Sequence, residues 1–424
     1  MITEEQSRRI LEAVDAAFDE QLSFTQELVK HPSLRTQEGS AQDLLHAAMA
    51  ERGLDMDRWQ LDPEELATHE GFGPVTVSYE DVTNVVGTYL PAAEAGRSLI
   101  LNGHVDVVPE GPAEHWSRSP WDAPIIDGWM YGRGAGDMKA GLAANLFAFD
   151  AVRAAGLEPA GRIHFQSVVE EECTGNGSLS ALMRGYRADA VIIPEPEEDM
   201  LVRANVGVLW FKVRVSGSPT HPREMGTGFN AIDAAYTVMT ALREVEEKWN
   251  ADRGQHRFFE DLEHPINFNF GQIIGGDWPS SVPAWCEFDV RAAIYPGIPA
   301  EQAWNEVQQC LAQLQTGPAP INAVATKTGF FSEGYVLEPG SEAESLLEST
   351  HQQVFGTELG SFTTPGYLDG RVFTLYADTP TLVYGPVSEA IHGFDERVSV
   401  ESVRRITKSI ALFIANWCGV DEQR

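Results

Sequence analysis

Apolar residues recur at helical spacing from Glu4 to Lys30 and halt at Lys30-His31-Pro32, where proline ends the helix. Thr3 and Gln6 stand just ahead of that run and predict a capping box. A second helical stretch is expected near residues 40–53. Segments rich in β-branched residues then alternate with helical ones. Strands are expected over Asn84 to Leu90, Ser98 to Leu101, Arg162 to Val169 and Ala188 to Ile193, with a helix from about Lys139 to Ala155 between two of them. This β-α-β rhythm predicts a largely parallel sheet flanked by helices.

After about Arg203 the pattern changes. Val208 to Val215 alternates like a half-exposed strand, and Asn230 to Trp249 is an amphipathic helix. Strand-like runs Ile266 to Ile274 and Ala284 to Ala293 follow, then a helix from about Ala300 to Leu314 and a further strand near Ile321 to Thr326. That order suits a small α+β unit of antiparallel strands and two helices. A helix near Ser341 to Phe355, a strand Thr381 to Tyr384 and a last helix Val400 to Trp417 resume the first style. The reading is one α/β domain over residues 1–203 and 328–424, interrupted by an inserted α+β domain over 204–327. A chain of 424 residues accommodates both.

Charge narrows the partners. Lys and Arg number 30 against 63 Asp and Glu, a net charge of −33. A surface this acidic repels phosphate backbones and anionic lipid, so neither nucleic acid nor membrane is expected as a partner. Its simplest use is solubility in a salty cytoplasm, with attraction of cations, metals included, as the other. No run approaches the length of a membrane span, and Met1 to Gln6 lacks the basic and apolar regions of a secretory signal. Cys173, Cys286, Cys310 and Cys418 are scattered without CxxC spacing and read as reduced thiols, so a cytoplasmic location is expected.

Chemistry concentrates where expected strands end, the edge at which open parallel sheets gather ligands. His104 closes Leu99-Ile100-Leu101-Asn102-Gly103-His104, and Asp106 stands two residues on, placed to accept the ring's second N–H. Asp137 sits among glycines at a helix start, in Gly134-Ala135-Gly136-Asp137. Glu170, Glu171 and Glu172 follow one apolar strand, Glu195 follows another, and His392 follows the strand Thr381 to Tyr384. Each alone has a structural alternative: a core histidine, a solvated acidic run, a helix cap. Together they are His, Asp and Glu on one sheet edge with no cysteine among them. That donor set suits a two-metal site for Zn²⁺, Co²⁺ or Mn²⁺.

These segments, in this order, resemble the co-catalytic metallopeptidase family of acetylornithine deacetylase, succinyl-diaminopimelate desuccinylase, aminoacylase and bacterial glutamate carboxypeptidase. The matching pieces are Gly103-His104-Val105-Asp106-Val107-Val108-Pro109, Tyr131-Gly132-Arg133-Gly134-Ala135-Gly136-Asp137-Met138-Lys139, Glu170-Glu171-Glu172, Glu195-Pro196 and His392-Gly393-Phe394-Asp395-Glu396. The resemblance implies the fold, a zinc-peptidase-like mixed sheet with an inserted lid or dimerisation domain. It implies that Asp137 bridges two metals, zinc first, and precedes a cis peptide bond. His104 and Glu195 complete one metal, Glu172 and His392 the other; Glu171 is the general base and Asp106 orients His104. It further implies a homodimer in which His221 reaches the partner's site and stabilises an oxyanion. Arg291 matches an arginine that holds a substrate carboxylate.

Two segments depart from the family pattern. Gly275-Gly276-Asp277-Trp278-Pro279-Ser280-Ser281-Val282-Pro283 places Ser280 where many relatives have Asn. Gly366-Tyr367-Leu368-Asp369-Gly370-Arg371 replaces Gly-Gly-Thr-Asp-Ala-Arg. Both regions line substrate sites in the family, so Ser280, Gly366 and Tyr367 are expected substrate contacts, and Tyr367 with Leu368 suggests a bulkier, more apolar one. The expected activity is hydrolysis of the amide bond of a small, carboxylate-bearing N-acyl amino acid. Deamination of an aromatic amine, as by nitroanthranilate aminohydrolase, a dipeptidase activity and a non-catalytic binding module stay open as alternatives.

Overall fold

The computed structural model describes residues 1–423. Helix α1 (Glu4–Val29) opens on the expected capping box: the Gln6 amide donates to the Thr3 hydroxyl at 3.2 Å, and the Thr3 amide to the Gln6 side-chain oxygen at 2.8 Å. Helix α2 (Gly39–Glu51) leads to strands β1 (Asp55–Gln60), β2 (Thr83–Tyr89) and β3 (Leu99–His104). Helix α3 (Ala140–Ala154), β4 (Ile163–Val168) and β5 (Val191–Ile193) follow.

An inserted unit comes next, built of β6 (Gly207–Ser216), α4 (Ala231–Ala251), β7 (Phe268–Gly275), β8 (Trp285–Ile294), α5 (Ala300–Thr316) and β9 (Asn322–Ser332). The chain then returns through α6 (Glu342–Phe355), β10 (Thr381–Val383) and α7 (Val400–Trp417).

The main sheet has the order β1-β2-β4-β3-β5-β10. From β4 to β10 the neighbours are parallel, while β1 and β2 are antiparallel additions at one edge. Every residue of β3, β4 and β5 is buried, as expected of strands covered on both faces. Strand β3 lies between β4 and β5, so their carboxyl ends open side by side. Helices α1, α3 and α7 pack together, burying Val14, Phe149 and Phe413.

The inserted unit has its own apolar core, running from Ala204 to Phe330. Its antiparallel sheet has the order β7-β8-β6-β9, and α4 and α5 cover one face. Alternation along β6 and β8 sends Phe211, Val213, Phe288 and Ala292 into that core. The intervening Trp210, Lys212, Asp289 and Arg291 lie on the other face, which roofs a cavity against the main domain.

Strand Leu201–Asn205 was not expected; it pairs with Ser361–Thr364 and with Tyr335–Val336 in a small third sheet. Arg203 disguises it, because a charged residue in a fully buried strand breaks the apolar run. Glu344 and the Leu337 carbonyl satisfy its guanidinium.

Candidate active site

Four loops at the carboxyl edge of the main sheet bring the ligand candidates together. His104 is the last residue of β3 and is buried. Its Nδ1 lies 2.9 Å from the backbone oxygen of Asp106, which can only accept, so Nδ1 carries the proton and Nε2 presents a lone pair. Asp106 therefore orients His104, but mainly through its main chain. Its carboxylate stands 3.6 Å from the ring and instead accepts the amides of Glu171 at 3.4 Å and Glu172 at 3.1 Å.

Asp137 stands at the centre. Its Oδ1 is 3.0 Å from His104 Nε2 and its Oδ2 is 3.4 Å from His392 Nε2. Its backbone is fixed from behind by Glu396, whose Oε1 accepts the amides of Gly136 at 3.0 Å and Asp137 at 3.1 Å. Arg133 holds the other Glu396 oxygen at 2.5 Å in a fully buried pair. The Asp137–Met138 peptide bond is cis.

Glu195, two residues past β5, reaches within 3.6 Å of His104 Nε2, and Glu172 within 3.1 Å of His392 Nε2. Glu171 is 3.9 Å from His104 and borders the same cavity. The Glu170-Glu171-Glu172 run leaves the strand and enters a turn. Glu170 has a φ of 65°, which turns its side chain away from its neighbours. It is wholly buried and bound by Arg35, Tyr79 and Thr174.

Electrostatics argue that this cluster is built for cations. Burial and neighbouring carboxylates raise the Glu171 carboxyl well above its ordinary range, opposed by His104. Burial likewise raises Glu172, and lifts Glu195 to about 7. Burial works against the ionised Asp137 too, yet hydrogen bonds from His104 and His392 hold its carboxyl below the usual range. Burying so many carboxylates around two imidazoles is unfavourable without added positive charge. Glu195 Oε1 is buried with no hydrogen-bond partner, and ligand atoms of His104, Asp137 and Glu172 all lie within 4.8 Å of one another. The residues present thus fit divalent metal, by donor chemistry and by that orphaned oxygen.

The remaining site candidates divide. Arg291, Gly366 and Tyr367 line the cavity, about 910 Å³ in volume, between this cluster and the inserted sheet. Ser280 is not part of that lining: it is exposed on the loop joining β7 to β8. His221 is also exposed, capping a short turn by accepting the Arg223 amide at 3.1 Å. Sequence reasoning gave no role to Glu396, Arg133, Arg35 or Tyr79. The first stood in view, closing His392-Gly393-Phe394-Asp395-Glu396, but its partner is far away in the chain.

A parallel sheet whose carboxyl edge carries a His–carboxylate cluster around a central aspartate defines a metal-dependent hydrolase acting on amide C–N bonds. Comparison with known proteins agrees. The chain belongs to the peptidase family M20/M25/M40, which it matches over residues 100–416. It is 28% identical over 434 aligned positions to N-formyl-4-amino-5-aminomethyl-2-methylpyrimidine deformylase of Halalkalibacterium halodurans, covering 96% of this chain and 97% of that one. It is 27% identical to succinyl-diaminopimelate desuccinylase of Acidovorax ebreus, over 90% of this chain and 94% of the relative. Among solved structures, the di-peptidase Dug1p of Saccharomyces cerevisiae shares the fold, with a TM-score of 0.76 at 16% identity over 98% of this chain and 99% of that one.

Proposed function

We propose that the protein removes a small acyl group from an N-acylated amine, by hydrolysis at a pair of divalent metal ions. The observation that carries this is Asp137, with one carboxylate oxygen turned to His104 and the other to His392. His104, Asp137 and Glu195 would hold one ion, and His392, Asp137 and Glu172 the other. Zinc suits the donors best, with Co²⁺ and Mn²⁺ as alternatives. Such ions polarise a carbonyl and acidify water.

This chain's own groups do the rest. Glu171 borders the cavity and is the one carboxylate of the cluster assigned to neither ion; it takes a proton from water as the new C–O bond forms. As the C–N bond breaks, it passes that proton to the departing amine. The Arg291 guanidinium makes one hydrogen bond, to the Pro365 carbonyl at 2.9 Å, among the described residues. Its remaining N–H groups suit a carboxylate on the substrate.

The exposed His221 has no role in its own chain's cavity. That supports a homodimer in which it donates to the oxyanion in the partner's site. The four free cysteines fit a reducing cytoplasm, and no helix among the described residues is long and apolar enough to cross a membrane.

The test is Glu171→Gln, assayed for amine release from N-formyl, N-acetyl and N-succinyl amines. Loss of roughly 10²–10⁴-fold in kcat with metal content unchanged is expected. Retained turnover would remove Glu171 from the role of base.

A further inference from the structure

We propose that the amine half of the substrate carries a flat aromatic or heteroaromatic ring, held by Trp210, Phe330 and Tyr367. This deepens the amide-hydrolase reading and rests on it. Trp210 of β6 and Phe330 of β9 come from the roof of the cavity, while Tyr367 comes from the main domain facing it. The Phe330 and Tyr367 ring centroids are 4.2 Å apart and tilted; Trp210 meets Phe330 edge-on at 5.1 Å. The three form one aromatic wall on the cavity that Glu171, Glu172 and Glu195 also line.

Tyr367 is held rigid. Its hydroxyl donates to Asp369 at 2.9 Å and accepts from Arg371 Nε at 3.1 Å. A β-carbon on Gly175 would come within 1.9 Å of that hydroxyl, so the hydroxyl end of Tyr367 fills the space that a glycine leaves open. Its partner Arg371 is fully buried, tied also to Tyr376 at 3.1 Å and to the Gly71 carbonyl at 2.9 Å, and does not border the cavity. At this segment the chain thus offers substrate an immobilised aromatic face instead of a guanidinium. Aromatic side chains fixed before binding favour a flat ring, because stacking and edge contacts need no ordering of the wall. A single-carbon acyl group such as formyl leaves the cavity's volume to the amine side.

Calorimetry on the metal-loaded protein tests this with benzylamine and its saturated counterpart cyclohexylmethylamine, beside hydrolysis of their N-formyl derivatives. Benzylamine is expected to bind about tenfold tighter, and the preference to collapse in Phe330→Leu and Tyr367→Leu, two changes that retain apolar bulk. Equal binding of the two amines, no detectable binding of benzylamine, or a preference that survives both substitutions overturns the proposal. If the preference holds but neither formamide is hydrolysed, the ring site stands and the amide-hydrolase reading falls. If both formamides are hydrolysed without preference in binding or turnover, the reverse is true.

Discussion

Arg35 grips Glu170 through two hydrogen bonds, Nε to Oε1 at 2.6 Å and Nη2 to Oε2 at 2.8 Å. Tyr79 donates to the same carboxylate at 2.7 Å and Thr174 at 2.9 Å. Glu170 is thus a buried anchor beneath the turn that carries Glu171 and Glu172. Arg35→Leu would strand a charge with no exposure to water. A loss of about 3–5 kcal/mol is expected, read as a lower urea midpoint at unchanged slope. Arg35→Lys should recover part of it, keeping the charge but not the paired geometry.

Gly175 and Tyr367 offer a second test. Gly175 has a φ of 72°, and its missing β-carbon is the space the Tyr367 hydroxyl fills. Gly175→Ala combines backbone strain, about 1 kcal/mol, with a steric clash that must move the ring. In a Tyr367→Leu background only the strain remains. A double-mutant cycle should therefore give a coupling of about 1 kcal/mol or more between the two positions, and additive effects would refute the contact.

Acid stability follows from His164, well outside the metal cluster. Burial, with Arg162 adding to it, lowers the imidazole to about 4, and Thr88 pairs with its ring at 2.9 Å. Between about pH 6.5 and 4 the unfolded chain takes up a proton that the folded chain refuses. Stability therefore rises with pH through that window and is lost as pH falls. The loss from this group between pH 7.5 and 5 is roughly 2 kcal/mol. The difference in unfolding free energy between wild type and His164→Gln, measured at both pH values, should shift by that amount against the wild type at pH 5.

The sequence made much of this legible, for physical reasons. A buried parallel strand carries a short apolar run, so its end is visible, and His104 and Glu195 stand shortly after two such runs stop. Asp137 and His392 were legible through neighbouring motif residues. What holds Glu170 apart from Glu171 and Glu172 was not, since only its positive φ sends that carboxylate to Arg35. Arg133 and Glu396 lie 263 residues apart, and no local pattern announces their pairing. The inserted sheet's alternation identified its two faces but not what the open one covers. Trp210 therefore read as an ordinary strand residue, and Phe330 lay past the end of the expected strand Ile321 to Thr326, until the fold placed both over the cavity.

Metal stoichiometry in single-ligand variants tests the central claim most directly. Wild type and the Glu195→Ala, His392→Ala and Asp137→Ala variants would be loaded with zinc, desalted and measured for metal per folded chain, with folding checked by circular dichroism. The account predicts two ions in wild type, about one in Glu195→Ala and in His392→Ala, and neither retained in Asp137→Ala, because one carboxylate serves both. One ion in wild type, or two still held without Asp137, would contradict it.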